Sequence, residues 1–166
     1  MTEAATATKV AIAIETPLQD DVRGLVDQLN AHLLPFAPIE YQFTLTVEQM
    51  ADPDTTVFVA RDGDGRAVGC GALKVHSPEI GEVKRMYTLP EVRGLRVGSA
   101  LLDSITRLAR DKGLSQLVLE TGPVPGFESA WRLYERAGFT RCGVVLDYPD
   151  SEYSAFFEKR LSPLAQ

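Results

Sequence analysis

The 166-residue chain holds only two cysteines and two histidines, Cys70, Cys142, His32 and His76. The cysteines stand far apart without CxxC spacing, so neither a disulfide framework nor a zinc cluster is indicated. Two histidines are too few for a multi-histidine metal centre, and no metal is expected. An excess of basic charge is also missing: 17 lysines and arginines against 23 acids leave −6 at neutral pH. That balance argues against general nucleic-acid binding, whose affinity comes from neutralising phosphates. No apolar run approaches the length of a membrane span, and MTEAATATKV lacks the basic and apolar regions of a secretion signal. The expectation is a cytoplasmic protein with no nucleic-acid or membrane partner. What is present, 45% hydrophobic content over 166 residues, suits a single domain spanning 1–166 with a sizeable core. Residues 1–8, small and polar, are expected to fray.

The periodicities alternate between two and 3.6. KVAIAIET (9–16) reads as a strand. Pro17, the acids Asp20 and Asp21, and Val22, Leu25, Val26, Leu29 and Leu33 at helical spacing predict a helix that Pro35 and Pro38 end. TVEQM predicts a short helix with Thr46 as its N-cap. TTVFVARD and GRAVGCGALKVH are strands joined by DGDG, a hairpin signal. GEVKRMYTLP continues the antiparallel series. A long helix then runs to Lys112, with Gly113 as C-cap. SQLVLET is a buried-looking strand, ESAWRLYERAG a helix, and FTRCGVVLDY and SAFFEKRL are final strands. Their order predicts one mixed α/β domain.

Between GEVKRMYTLP and the long helix lies RGLRVG, with Arg93, Gly94, Arg96 and Gly98 where a strand hands over to a helix start. The first helical N–H groups have no intrahelical partner, and the helix dipole favours negative charge there. Glycine lets the backbone approach a bulky anion because no Cβ stands in the way. The amides of Val97, Gly98, Ser99 and Ala100 are therefore candidates for an anion nest. A dinucleotide fold would need GxGxxG in a parallel βαβ unit, and a P-loop would need GK[ST]; both patterns are absent.

In EVKRMYTLPEVRGLRVGSALL and AWRLYERAGF the chain resembles the GCN5-related N-acetyltransferase (GNAT) family, with matching element order from about Thr55 to Leu161. The resemblance implies a GNAT-like acyltransferase fold: a twisted, mostly antiparallel sheet of about seven strands flanked by four helices. Its fourth and fifth strands would run parallel and splay apart. It also implies acetyl-CoA as co-substrate, its pyrophosphate held at R/Q-x-x-G-x-G/A. Arg93 and Gly98 match the ends of that motif, and Arg96 replaces its internal glycine. Met86, Tyr87 and Thr88 match the strand segment that pairs with the pantetheine arm.

Acetylating an amine needs two proton movements, one off the nitrogen and one onto the departing thiolate. The spacing A-x-x-L-Y-x-x-x-G-F places Tyr134 where the family has its general acid. Glu82, eleven positions before Arg93, resembles the base glutamate of histone-type members, with Glu79 as the fallback. Phe127 stands where many relatives carry a cofactor-contacting asparagine. The tail RCGVVLDYPDSEYSAFFEKRL is similar to small bacterial members ending in DYP-x-x-x-x-S-x-F-x-E-K. There Asp147, Tyr148 and Tyr153 would border the acceptor pocket. The acceptor would be a small-molecule amine or a lysine side chain, and the acidic surface weakly favours a cationic one. A non-catalytic acyl-CoA sensor and an acyltransferase with a longer donor or a hydroxyl acceptor stay open. The apolar runs VVL and AFF point to a homodimer.

Overall fold

The structure, a computed structural model, describes residues 9–162; the expected fraying of 1–8 lies outside them. In chain order come β1 (Ala11–Ile14), α1 (Asp20–Leu33), α2 (Val47–Met50), β2 (Thr55–Arg61), β3 (Ala67–Val75) and β4 (Ile80–Thr88). They are followed by α3 (Val97–Asp111), β5 (Gln116–Thr121), α4 (Glu128–Arg136), β6 (Thr140–Cys142) and β7 (Ala155–Arg160). The strands form one sheet in the order β1-β2-β3-β4-β5-β7-β6. All neighbours are antiparallel except β4 and β5. Among the described residues this is the seven-stranded, four-helix arrangement that the resemblance implies.

Local chemistry explains the elements. Val22, Leu25, Val26 and Leu29 bury one stripe of α1. Thr46 caps α2 in a reciprocal box with Gln49, which satisfies two otherwise orphaned donors. In the DGDG turn the Asp62 carboxylate accepts from the amides of Asp64 and Arg66 at 2.9 and 3.0 Å, and β2 and β3 pair on either side. Arg61 joins β2 to the chain before it by pairing with Glu15 at 2.8 Å and Asp21 at 2.7 Å.

The two faces of the sheet follow from the alternation along β3. A Cβ on Gly69 or Gly71 would meet Val97, Leu101 or Ile105, so those positions face α3. Cys70, between them, is paired with Tyr87, whose hydroxyl donates to Gln28 on α1. Helices α3 and α1 therefore cover opposite faces, and the core fills both interfaces.

Two expectations change. FTRCGVVLDY forms a strand only over Thr140–Cys142. Beyond it Leu146 takes φ 53, a left-handed conformation incompatible with an extended strand, and Pro149 has no N–H to offer a ladder. The AFF run is buried inside the protomer, with Ala155, Phe156 and Phe157 at 3%, 4% and 0% exposure. It thus offers no apolar surface to a second copy, and only the VVL side keeps exposed apolar residues, Val144 and Leu146.

Candidate active site

The parallel pairing of β4 and β5 covers only Ile80–Glu82 against Gln116–Val118. From Val83 onward β4 has no partner on that side, and the strands open into a cleft of about 760 Å³. A kink in β4 accompanies the opening. The β3–β4 register shifts between Cys70 and Ala72, and Arg85 sits at φ 56, the signature of a bulge that re-aims side chains. Met86 is turned over Gly71, where a Cβ would come within 2.5 Å of its sulfur.

One end of the cleft is the start of α3. Arg96 is the N-cap at φ 66, so the position where the family pattern has glycine does adopt a left-handed conformation that favours glycine. The first intrahelical bond runs from the Ala100 amide to the Arg96 carbonyl at 3.1 Å. This corrects the expected nest: the Ala100 amide is consumed by the helix, while Val97, Gly98 and Ser99 precede the first helical bond and line the cleft. Gly94, at φ 88, also lines it. Arg93 is partly engaged, donating to the Thr88 carbonyl at 3.0 and 3.2 Å and lying 5.5 Å from the Tyr87 ring centre. Arg132 and Arg136 on α4 face the same space, making this end basic in an acidic protein.

The other end is made of side chains. Glu82, buried at 2% exposure, accepts from Lys84 Nζ at 3.3 Å and from the Tyr148 hydroxyl, and it meets His76 Nε2 at 2.8 Å. Lys84 also donates to Tyr148 at 2.8 Å and to the Phe43 carbonyl at 3.2 Å. Burial first, and then the Glu82 charge, hold the Tyr148 phenol protonated well above its usual range. Glu79 lies at the far end of β4, where its carbonyl binds the amides of Ser115 and Gln116. It does not line the cleft, so the fallback base is misplaced.

Tyr134 on α4 is buried, packs against Phe139 and Phe157 at ring distances of 5.9 Å, and lines the middle of the cleft. Desolvation raises its pKa, and the nearby Glu120 charge raises it further. Such a phenol stays protonated at neutral pH. Glu120, on β5, was not singled out from the sequence. It lines the cleft and accepts from the Ser154 hydroxyl at 2.7 Å. Burial pushes its carboxyl up to about 7, against the Ser154 hydrogen bond and Lys84, which lower it. A carboxylate poised near neutrality in a cleft is what a general base requires. Its only sequence signal is the polar end of SQLVLET, ETG, where a buried strand reaches the cleft.

The segment after α1 also walls the cleft. Gln42 donates to the carbonyls of Leu33, Leu34 and Ala37 at 3.3, 3.2 and 2.8 Å, folding 34–41 into two short 3-10 turns. Phe36 from this segment stacks on Phe127 at 4.8 Å. Phe127 also covers Gly122, where a Cβ would come within 2.1 Å of its ring. The family's asparagine position is thus an apolar clasp. Tyr153 stacks on Tyr41 at 5.2 Å and lines the cleft; Tyr148 stands behind Glu82, and Asp147 is exposed.

Among the described residues no helix is long and apolar enough to cross a membrane, and no group of three His, Cys, Asp or Glu is placed to hold a metal. A profile of the acetyltransferase (GNAT) domain matches residues 53–141. A protein of Azospirillum brasilense named IAA acetyltransferase is 40% identical over 92% of this chain and 98% of its own. A solved Klebsiella pneumoniae protein, provisionally named an acyl-CoA N-acyltransferase, has a TM-score of 0.76 at 28% identity, covering 92% of this chain and 98% of that one. An Elizabethkingia anophelis GNAT acetyltransferase solved with acetyl-CoA bound shares the fold at a TM-score of 0.64 and 14% identity, over 92% of this chain and 98% of that one. With the splayed β4–β5 cleft, the amides at the head of α3 and the tyrosine of α4 already in place, these likenesses make this chain an N-acetyltransferase of the GNAT family.

Proposed function

We propose that the protein transfers an acetyl group from acetyl-CoA to an amine by direct attack with both substrates bound. The observation that carries this reading is the continuity of the cleft. One space joins the amides of Val97, Gly98 and Ser99 to the side chains of Tyr134, Glu120 and Glu82. The thioester supplies an activated acetyl group. The residues divide the remaining work. The head of α3 takes the pyrophosphate on its backbone amides, with Arg93 and Arg96 adding positive charge. The unpaired edge of β4 at Met86, Tyr87 and Thr88 offers backbone groups to the amide-bearing arm. A β4 amide also polarises the thioester carbonyl, an oxyanion-type contribution.

The amine arrives beside Tyr153 and Phe43. Glu120, deprotonated above about 7, takes its proton. The base role that the family resemblance put on Glu82 passes in this reading to Glu120. Glu82 already serves Lys84, His76 and Tyr148 and anchors that wall. Tyr134 donates its hydroxyl proton to the departing thiolate. The test is calorimetry with acetyl-CoA followed by thiol release against a panel of amines. The expected outcome is saturable binding and turnover with at least one amine. No heat and no thermal shift at millimolar acetyl-CoA would defeat the donor assignment. Binding without turnover on any amine would favour the sensor reading.

A further inference from the structure

Arg85 and Lys84 are neighbouring cations on β4, and only one of them has an anion. Lys84 is paired with Glu82. Arg85, at 7% exposure, has no carboxylate within 4.0 Å among the described residues. Its Nη2 donates to the neutral Asn30 side chain on α1, and its Nε is buried with no partner. The residue lines the cleft on the α1 side, beside Met86. Its φ of 56 lies in the left-handed region at the bulge, a costly conformation that persists at sites with a task. Burial lowers its pKa, with Cys70 acting more weakly in the other direction.

A buried, unpaired guanidinium is expensive. A ligand anion would offset that cost, and the planar fork of arginine matches a carboxylate two-pronged. The donor does not supply it. In the reading above the CoA phosphates lie at the head of α3, and the arm passing Met86 is neutral. The remaining ligand is the acceptor. We propose that the acceptor is an amino carboxylate whose carboxylate binds Arg85 while its amine faces Glu120. Tyr41, Phe43 and Tyr153 wall that end, so the body between the two groups is apolar or aromatic. This departs from the cationic acceptor that overall charge favours, because one pocket obeys its own charges. The inference rests on the amine-acetylation reading, and its test separates the two.

Thiol release is measured with acetyl-CoA and matched pairs: L-phenylalanine against phenethylamine, and 6-aminohexanoate against pentylamine. In at least one pair the carboxylate member is expected to show about ten-fold or higher kcat/KM, carried mainly by KM. Arg85→Gln should collapse that ratio, and Arg85→Lys should restore part of it. Equal or better turnover of the decarboxylated member in both pairs overturns the proposal, as does an unchanged ratio in Arg85→Gln. A wild-type measurement covers the case in which the variants do not fold. 3-Phenylpropanoate, which has no amine, should bind the CoA-loaded protein by calorimetry, and 3-phenylpropanamide should not. Equal binding of the two, or none, overturns the anion site. Binding of the propanoate alone, with no turnover of any amine, upholds the anion site and rejects the amine acetylation.

Discussion

At one end of the cleft three consecutive amides, Val97, Gly98 and Ser99, face the space from a six-residue junction, with exposed arginines around them. At the other end Glu82, Lys84, Tyr148 and Glu120 gather from β4, β5 and the β6–β7 connection, with Arg85 set apart against Asn30 on α1, all largely out of water. The first end is made of backbone, tolerates side-chain change and works through partial charges that water already screens. The second depends on individual ionisable groups in a low-dielectric setting, where each pairing strengthens and each unpaired group costs more. Mutations should therefore act through turnover and pH dependence at the side-chain end, and through affinity at the α3 end.

Tyr134, between the two ends, should show the largest effect. Tyr134→Phe keeps the ring and its contacts with Phe139 and Phe157, so folding and CoA affinity should change little. Turnover should fall by roughly ten- to a thousand-fold, the scale of general acid catalysis. The check is kcat under conditions where chemistry is rate-limiting. An unchanged kcat there would hand the proton transfer to solvent.

Next in size is Glu120→Gln, with an expected loss of about ten- to a hundred-fold at pH 8. The pH profile is the sharper readout. The wild-type rate should rise with pH through about 7, because the base works only when deprotonated. Protonation of the amine tilts both profiles alike and cancels in their ratio. Stability carries the opposite sign. The folded pKa lies above the unfolded glutamate value of about 4.3, so between those values the folded state holds a proton that the unfolded state releases. Stability then declines as pH rises from about 4.3 towards 7, and the glutamine variant should flatten that slope in melting experiments. Glu82→Gln provides the contrast. It removes the charge that answers buried Lys84, so the melting temperature should drop more than with Glu120→Gln. A larger rate loss in Glu82→Gln than in Glu120→Gln, at equal stability, would return the base role to Glu82.

The same contrast governs what the sequence reveals. The α3 end is local: Arg93, Gly94, Arg96 and Gly98 fall within six residues, so spacing alone places them together at a helix start. The turns at DGDG, Thr46 and Gly113 are legible for the same reason, and helical periodicity places Tyr134 on its helix. The side-chain end is assembled across the chain. Tyr148 reaches Glu82 over 66 positions, Lys84 reaches Phe43 over 41, and Ser154 reaches Glu120 over 34. Spacing reports none of these meetings. Burial then decides which carboxylate is poised to take a proton, and burial is a property of the fold. The misreading of VVLDY as strand has a related origin. Its β-propensity is high, yet Tyr148 is drawn inward by Glu82 and Lys84, and this tertiary contact overrides propensity.

Gly98 tests the α3 end through affinity. A Cβ there would lie 3.4 Å from the nearest methyl of Leu133 on α4, an ordinary contact, so alanine fits. Gly98→Val should press on Leu133, displace the start of α3 and weaken CoA binding by about ten-fold, with turnover at saturation reduced less. Equal CoA affinity in the valine variant would mean that the ligand does not depend on the backbone at Gly98.

The smallest effect belongs to Arg96, where two contributions oppose each other. The residue occupies φ 66, which costs a non-glycine residue roughly 1 kcal/mol or more. Arg96→Gly removes that strain, although glycine gives back some of the gain through the entropy of the unfolded chain. A net rise in stability of up to about 1 kcal/mol is expected, read as a higher melting temperature without ligand. The same change deletes an exposed cation near the phosphates. Exposed charge pairs are worth about 0.2–1 kcal/mol, so CoA affinity should fall by about two- to five-fold, and by less in high salt, where such pairs are screened. Arg96→Ala separates the two contributions, because it loses the charge and keeps the strained backbone. It should match the glycine variant in affinity and fall below it in melting temperature. If the glycine variant binds CoA as tightly as the wild type at low salt, the arginine contributes nothing to the phosphates, and the amides of Val97, Gly98 and Ser99 hold them unaided by its charge.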